Sequence, residues 1–155
     1  MARSTFLYVI YIRTTPERLW SALTTDAQFM ERYWFGTHCE SHWTTGSAWK
    51  MVRPDGVVTD AGEILESDPP RRLVIRWMHL NRPEIKVEGE SRCVIELEPN
   101  GAAVKLTITH TIEREPSELI TAVSGGCPKI LSNLKSLLET GDVVLKDAYR
   151  TECAR

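Results

Sequence analysis

One amphipathic stretch near the end of the chain most constrains the fold. Residues 124 to 141 read SGGCPKILSNLKSLLETG, and apolar side chains recur every three or four positions in the second half. This spacing predicts a helix over residues 128 to 140, about 20 Å long at roughly 1.5 Å per residue. Its apolar stripe needs a large apolar surface to cover. The stripe consists of Ile130, Leu131, Leu134, Leu137 and Leu138.

The flanks of this stretch predict where the helix begins and ends. Two glycines and Pro128 are expected to interrupt helical structure before this helix, and Gly141 is expected to cap its end. A separate helical turn is predicted just upstream, with Ser117 as its cap. The polar side of the main helix is predicted to consist of Lys129, Asn133, Lys135, Ser136 and Glu139.

The middle of the chain alternates apolar and polar residues between short turns, which predicts successive antiparallel strands. Residues 5 to 12 are rich in β-branched and aromatic residues, which predicts an earlier strand. Charged residues are expected to face water, which assigns their strand neighbours to the inward face. That inward set is Trp49, Met51, Leu73, Ile75, Trp77, His79, Cys93, Ile95, Leu97, Val104, Leu106, Ile108 and His110.

Two short helices are predicted in tandem after the first strand. Thr15 and Asp26 are the expected caps, and Pro16 suits a first helical position. The segment NRPEIKVEGE is a polar loop whose strand content the pattern leaves open. The predicted fold class is therefore α+β: a curved antiparallel sheet with two short helices, wrapped on a long C-terminal helix. One domain is expected over residues 1 to 155, with its core at about 6 to 141 and a tail from 142 to 155 that is either a frayed helix extension or an oligomer contact.

Charge and composition exclude several classes of function. The net charge is −2 over 155 residues, with no run of lysine or arginine, so no basic face for nucleic acid is expected. Apolar stretches fall short of the ~20 residues that cross a bilayer, and the start of the chain lacks signal-peptide features. A cytoplasmic protein without membrane insertion is expected. The four cysteines have no metal-ligand spacing and are expected to be reduced, with no metal or other cofactor: Cys39, Cys93, Cys127 and Cys153.

Several segments together resemble one known family. VIYIRTTPERLWSALTTDAQFMERYW resembles the opening of the activator-of-heat-shock-protein-90-ATPase-like family, within the START/Bet v 1-like (SRPBCC) superfamily. GEILESDPPRRLVIRW, VKLTITH and SNLKSLLETG resemble its central strands, last strand and closing helix. The resemblance covers roughly residues 6 to 141. It implies the helix-grip fold, with a cavity between the sheet and the terminal helix, and a role in the stress response.

The resemblance also has a departure. Family members usually carry Gly-Trp where this chain has Gly126 and Cys127. A smaller residue there is expected to leave extra space, or a differently shaped pocket mouth, at the helix start. The alternative is a plain helix kink without a role in ligand binding.

The candidate ligand-binding residues are the large or polar groups expected on the inward side. The aromatic members could stack on a ligand or could be ordinary core. His79 and His110 could orient a polar group or act as acid and base, or could simply bind backbone, since no partner carboxylate is evident. The candidate set is Tyr33, Trp34, Trp49, Met51, Trp77, His79, His110, Cys127, Leu131 and Leu134.

Two other groups are weaker candidates. Cys127 at a helix N-terminus would have a lowered pKa and could be a nucleophile, although a structural cysteine is favoured. Glu63, Glu66 and Asp68 are expected to be solvated.

Three functions follow from these observations. The first is binding of a small lipophilic molecule in the cavity. The second is a chaperone-associated interaction module, which predicts an exposed apolar patch. The third is a cyclase- or dehydratase-type enzyme, which needs a titratable pair in the pocket. Catalysis is left open, with no catalytic residue assigned, and a homodimer is kept as one oligomeric state.

Overall fold

The computed structural model describes residues 2–146. Within that range seven strands form one antiparallel sheet: β1 (Ser4–Ile12), β2 (His38–Ser41), β3 (Ala48–Val52), β4 (Val58–Asp68), β5 (Arg72–His79), β6 (Ser91–Asn100) and β7 (Ala103–Ile112). Their order across the sheet is β1-β7-β6-β5-β4-β3-β2. The predicted meander is therefore present, and β1 closes it by pairing with β7. Cys153 and residues 147 to 155 of the predicted tail lie outside the described residues.

Two helices, α1 (Pro16–Leu23) and α2 (Ala27–Tyr33), connect the first two strands as predicted. The side chains of Thr15 and Asp26 accept backbone N–H bonds of 3.1 and 3.2 Å, which confirms both caps. The loop after β5 contains a short helix, α3 (Pro83–Lys86), with Ile85 buried.

The last helix is longer than the sequence pattern predicted. α4 runs without interruption over Glu118–Thr140, through both glycines and Pro128, so the expectation of two separate segments was wrong. The predicted cap at Ser117 is present, and Gly141 ends the helix in the left-handed conformation.

Packing explains why the helix continues. An interior proline costs ~3 kcal/mol because it removes a hydrogen bond and crowds the preceding turn. A buried leucine or isoleucine contributes about 1.5–3 kcal/mol. Both halves of α4 bury such side chains against the same sheet, and the stabilisation that they contribute together exceeds the cost of Pro128. These side chains are Leu119, Ile120, Ile130, Leu131, Leu134 and Leu137.

One face of the sheet forms the core, as the alternation predicted. β7 is the clearest strand, because every second residue from Val104 to Ile112 is buried. The inward residues of β3 and β5 join the same cluster, into which α4 packs its apolar stripe. The fold is thus the predicted α+β helix-grip arrangement.

Only glycine fits at position 62, because the backbones of β4 and β5 approach each other closely there. A Cβ atom there would overlap the backbone carbonyl of Arg76. Gly62 lies in register between Trp49 on β3 and Trp77 on β5. Without a side chain between them, the two indoles meet with ring centroids 4.3 Å apart.

Asn133 does not lie on the polar side of α4, contrary to the prediction. It is only 1% exposed. Its side-chain oxygen accepts from the backbone N–H groups of Val144 (3.1 Å) and Leu145 (2.7 Å), and its amide donates to the Leu145 carbonyl (2.8 Å). Burial is possible because these partners satisfy both ends of the amide. The first residues of the predicted tail therefore fold back onto α4.

Candidate functional site

A cavity of about 220 Å³ lies between the sheet and α4. The helix contributes one continuous stripe to its wall, because the lining positions recur every three or four residues. Those residues are Leu119, Ala122, Val123, Gly126, Cys127, Ile130 and Leu131. The sheet and α2 supply the aromatic and polar side chains opposite them.

All but two of the predicted candidates line this cavity: Tyr33, Trp34, Met51, Trp77, His79, His110, Cys127 and Leu131. The exceptions are Trp49 and Leu134, which are 2% and 0% exposed and belong to the core. Trp49 packs against Trp77, so it supports the cavity wall from outside the lining.

His79 has a carboxylate partner that the sequence analysis did not identify. Asp60 on β4 lies directly opposite His79 on β5 in the strand register. Its Oδ2 atom is 2.9 Å from His79 Nδ1 and accepts a 2.7 Å hydrogen bond from the Trp77 indole N–H. A carboxylate oxygen can only accept, so Oδ2 accepts from both neighbours and the hydrogen of the second bond belongs to His79 Nδ1. The expectation that neither histidine has a carboxylate beside it was therefore wrong.

His110 forms a second, neutral polar pair with Ser91. Its Nε2 lies 2.7 Å from the Ser91 hydroxyl oxygen, and its ring centroid lies 5.1 Å from that of Trp77. Burial lowers the pKa of His110 to about 4, against an opposing effect of the Asp60 charge. At neutral pH the ring is uncharged, so it does not compensate the carboxylate of Asp60.

Cys127 lies inside α4, not at a helix N-terminus, so the expected lowering of its pKa was wrong. Burial instead raises the pKa of its thiol to about 12. A thiolate is the nucleophilic form of cysteine, and at neutral pH this side chain is a small apolar group. Its role in the cavity wall is one of shape.

Among the described residues that line the cavity, the carboxylate and guanidinium groups are those of Asp60, Arg53 and Arg82. Arg53 and Arg82 line the cavity while their side chains are 40% and 35% exposed, which places them at its mouth. Each forms an ion pair, with Asp55 at 2.6 Å and Glu84 at 2.9 Å.

The other predicted carboxylates lie away from this site. Glu63 and Glu66 form ion pairs with arginines of β5 at 2.7 and 2.8 Å. Over residues 2–146 no group of three potential ligands is arranged to hold a metal ion. The helices in that range are also too short or too polar to cross a bilayer.

Comparison with known proteins supplies the family. The model of the family described as Activator of Hsp90 ATPase homolog 1-like protein matches residues 13–139. The chain belongs to this family. Among curated proteins none matches the chain.

Solved structures similar to this family member show the same fold. A protein of Mesorhizobium loti is 21% identical with a TM-score of 0.74, over 90% of this chain and all (100%) of that one. The Aha1 dimer of Colwellia psychrerythraea is 23% identical with a TM-score of 0.70, over 89% and 98% of the two chains. An HSP90 activator of Plasmodium falciparum is 21% identical with a TM-score of 0.69, over 86% and 95%.

Several residues that line the cavity of this Hsp90-ATPase-activator-like protein were not predicted from the sequence. Leu119 and Val123 were missed because α4 was divided in two, although their spacing continues the later stripe. Asp60 was missed because the inward face of β4 was not assigned. Residues 60, 62 and 64 share one face of β4. The apolar side chain of Ile64, which is fully buried, could have indicated that this face points inward.

Proposed function

We propose that the protein binds a small hydrophobic or aromatic ligand in the cavity between the sheet and α4. The cavity itself carries the proposal, because its wall combines aromatic and aliphatic side chains with a few polar atoms, as small-molecule sites do. Its volume of about 220 Å³ lies below the ~300–1,000 Å³ of drug-sized sites. The ligand is therefore small, of the size of one or two fused rings.

A thermal-shift screen against aromatic and lipophilic compounds tests the proposal. A ligand at 100 times its Kd adds about 2.7 kcal/mol to the free energy of unfolding. For a domain of this size each kcal/mol raises the melting temperature by about 2–4 °C. The expected result is a rise of several degrees with a small aromatic compound.

Position 127 offers a blocking variant. Cys127→Trp introduces the residue that is usual in the family into the cavity wall, and the expected result is loss of the ligand-induced shift. Thr121→Trp is the matched control, because Thr121 is exposed on the same helix and does not line the cavity. Equal shifts in both variants would contradict the proposed location.

A second candidate function is association with a chaperone of the Hsp90 type. The family supports it, and so does a row of exposed apolar residues on the edge strand β1. Leu7, Val9 and Tyr11 are 62%, 44% and 49% exposed on one face of that strand. Three such neighbours form a patch of the kind that marks protein interaction sites.

The ATPase rate of a purified Hsp90 chaperone tests this second candidate. The expected result is an increased rate with the wild-type protein and a smaller increase with Leu7→Lys. Val57→Lys is the control, since Val57 is 39% exposed and lies between β3 and β4, which are separated from β1 by at least three other strands of the sheet. An unchanged ATPase rate with the wild-type protein would leave ligand binding as the only proposed function.

A further inference from the structure

One carboxylate oxygen in the cavity wall has no hydrogen-bond partner among the described residues. Oδ2 of Asp60 is occupied by the Trp77 indole and by His79, whereas Oδ1 accepts no bond from residues 2–146. Some unpaired polar atoms of residues 2–146 are completely inaccessible to solvent, but Oδ1 is not one of them. Part of the 8% exposure of the side chain therefore lies at this oxygen, and Asp60 lines the cavity.

The surroundings of this oxygen make a ligand donor favourable. An acceptor in an apolar cavity loses much of its hydration, and leaving it unpaired costs free energy. The neighbouring residues of the cavity wall do not donate to Oδ1. The Trp77 N–H is already used by Oδ2, the Trp34 N–H is buried without a hydrogen-bond partner within residues 2–146, and the aliphatic face of α4 has no donor. A bound molecule with a hydrogen-bond donor would satisfy Oδ1.

Desolvation distinguishes between the possible donors. Arg53 and Arg82 at the cavity mouth are each paired with a carboxylate, so their charges are compensated. An ammonium group loses far more hydration free energy than a hydroxyl group on entering an apolar cavity, and this loss offsets its attraction to Asp60. A hydroxyl group donates without adding charge and fits beside aromatic side chains. The polar group of the ligand is therefore better matched by a hydroxyl than by an amine.

We propose that Asp60 Oδ1 accepts a hydrogen bond from the hydroxyl group of a small aromatic ligand, so that the cavity selects compounds of the phenol class. The proposal rests on the proposed ligand-binding function and adds the polar group of the ligand. His79 and Trp77 act as positioning residues, because their N–H groups hold Oδ2 and thereby direct Oδ1 into the cavity.

Two probes of nearly equal shape test the proposal by isothermal titration calorimetry. β-Naphthol carries the donor, and β-naphthyl methyl ether replaces it with an acceptor. Hydrogen bonds to charged groups correspond to a preference of about 10- to 100-fold in Kd. The expected result is that the wild-type protein binds β-naphthol more tightly by this factor. Equal affinities for the two probes would overturn the proposal.

Asp60→Asn gives a sharper test because it reverses the polarity of the free position. The Trp77 and His79 N–H groups require an oxygen beside them, so the asparagine amide oxygen replaces Oδ2 and its NH₂ group replaces Oδ1. An acceptor facing the cavity thus becomes a donor. The expected result is that the preference for β-naphthol disappears and the ether gains affinity. A folded Asp60→Asn variant that keeps the wild-type preference would overturn the proposal.

A measurement on the unaltered protein covers the case in which the variant does not fold. The side-chain carboxyl resonance of Asp60 in isotopically labelled protein is expected to shift with β-naphthol and to stay nearly unchanged with the ether. Identical shifts with both probes would contradict the hydrogen bond. Tighter binding of β-naphthylmethylamine than of β-naphthol would also overturn the hydroxyl assignment in favour of a cation.

The outcomes separate this proposal from the one on which it rests. If both probes bind equally well and Cys127→Trp abolishes both, the cavity binds ligands but Asp60 does not select a hydroxyl. If neither probe binds the wild-type protein, both proposals fail for aromatic ligands of this size.

Discussion

His110 couples the stability of the fold to pH at the scale of a single residue. Its side chain is buried in β7, where the ring contacts Ser91 and Trp77. Burial lowers its pKa from 6.5 to about 4. Between those two values the unfolded chain binds a proton that the folded protein does not.

The sign of the resulting pH dependence follows from linkage. The contribution of His110 is complete above about pH 6.5 and falls as the pH drops towards 4, by roughly 3 kcal/mol in all. His110→Gln removes this titration. We therefore expect the free energy of unfolding of the variant to depend less on pH in that range.

Urea unfolding over the same pH range measures the effect. The difference between wild type and His110→Gln at each pH separates His110 from the carboxylates that titrate nearby, because those are present in both proteins. Two parallel curves would show that the histidine is not kept neutral by the fold.

At the scale of elements, α4 shows how packing overrides local preference. The glycine pair and Pro128 favour a break, yet the helix is continuous and Gly125 lies in its interior on the exposed side. A Cβ atom at Gly125 would meet nothing within 4 Å. Alanine is preferred to glycine in a helix interior by about 0.5–1 kcal/mol.

Gly125→Ala is therefore expected to raise the melting temperature, by about 2–4 °C per kcal/mol gained. Gly62→Ala on β4 is the contrasting variant, since its Cβ would overlap the Arg76 carbonyl, and it is expected to destabilise the protein strongly. Differential scanning calorimetry of both variants measures whether each substitution raises or lowers the melting temperature. A destabilised Gly125→Ala variant would instead favour the broken helix that the sequence pattern predicted.

At the scale of the whole molecule, the volume of the cavity limits the ligand. The space of about 220 Å³ accommodates a small aromatic skeleton and is too small for a sterol. Affinity is expected to rise from one ring to two and to fall sharply for four fused rings. Calorimetry with such a series measures this limit, and tight sterol binding would show that α4 moves away from the sheet.

The features that could be predicted from the sequence are those encoded in local residue patterns or in similarity along the whole chain. The strands of the central sheet were predictable because one face is packed and the other solvated, so alternation marks both, as in β7. The family resemblance was confirmed, and with it the placement of α4 across the sheet. These features depend on local pattern or on the whole chain.

The parts that were missed depend on contacts between distant residues. Asp60 and His79 are 19 positions apart and meet only through the register of β4 and β5. A bulge in that pairing, between Ile64 and Glu66, also shifts the later part of β4 relative to its partner. Asn133 was assigned to the solvated side because its partners at 144 and 145 lie beyond the predicted core.

The space that Gly62 leaves between the two tryptophans also has an optical consequence. The indole centroids of Trp49 and Trp77 lie 4.3 Å apart, close enough for their excited states to couple, so we expect the pair to give a coupled signal in circular dichroism. A guest lying against Trp77 would disturb this coupling and change the near-ultraviolet circular dichroism. A partner bound to the exposed row on β1 would leave it unchanged. The protein thus contains its own spectroscopic reporter, which separates the two proposed functions without any label.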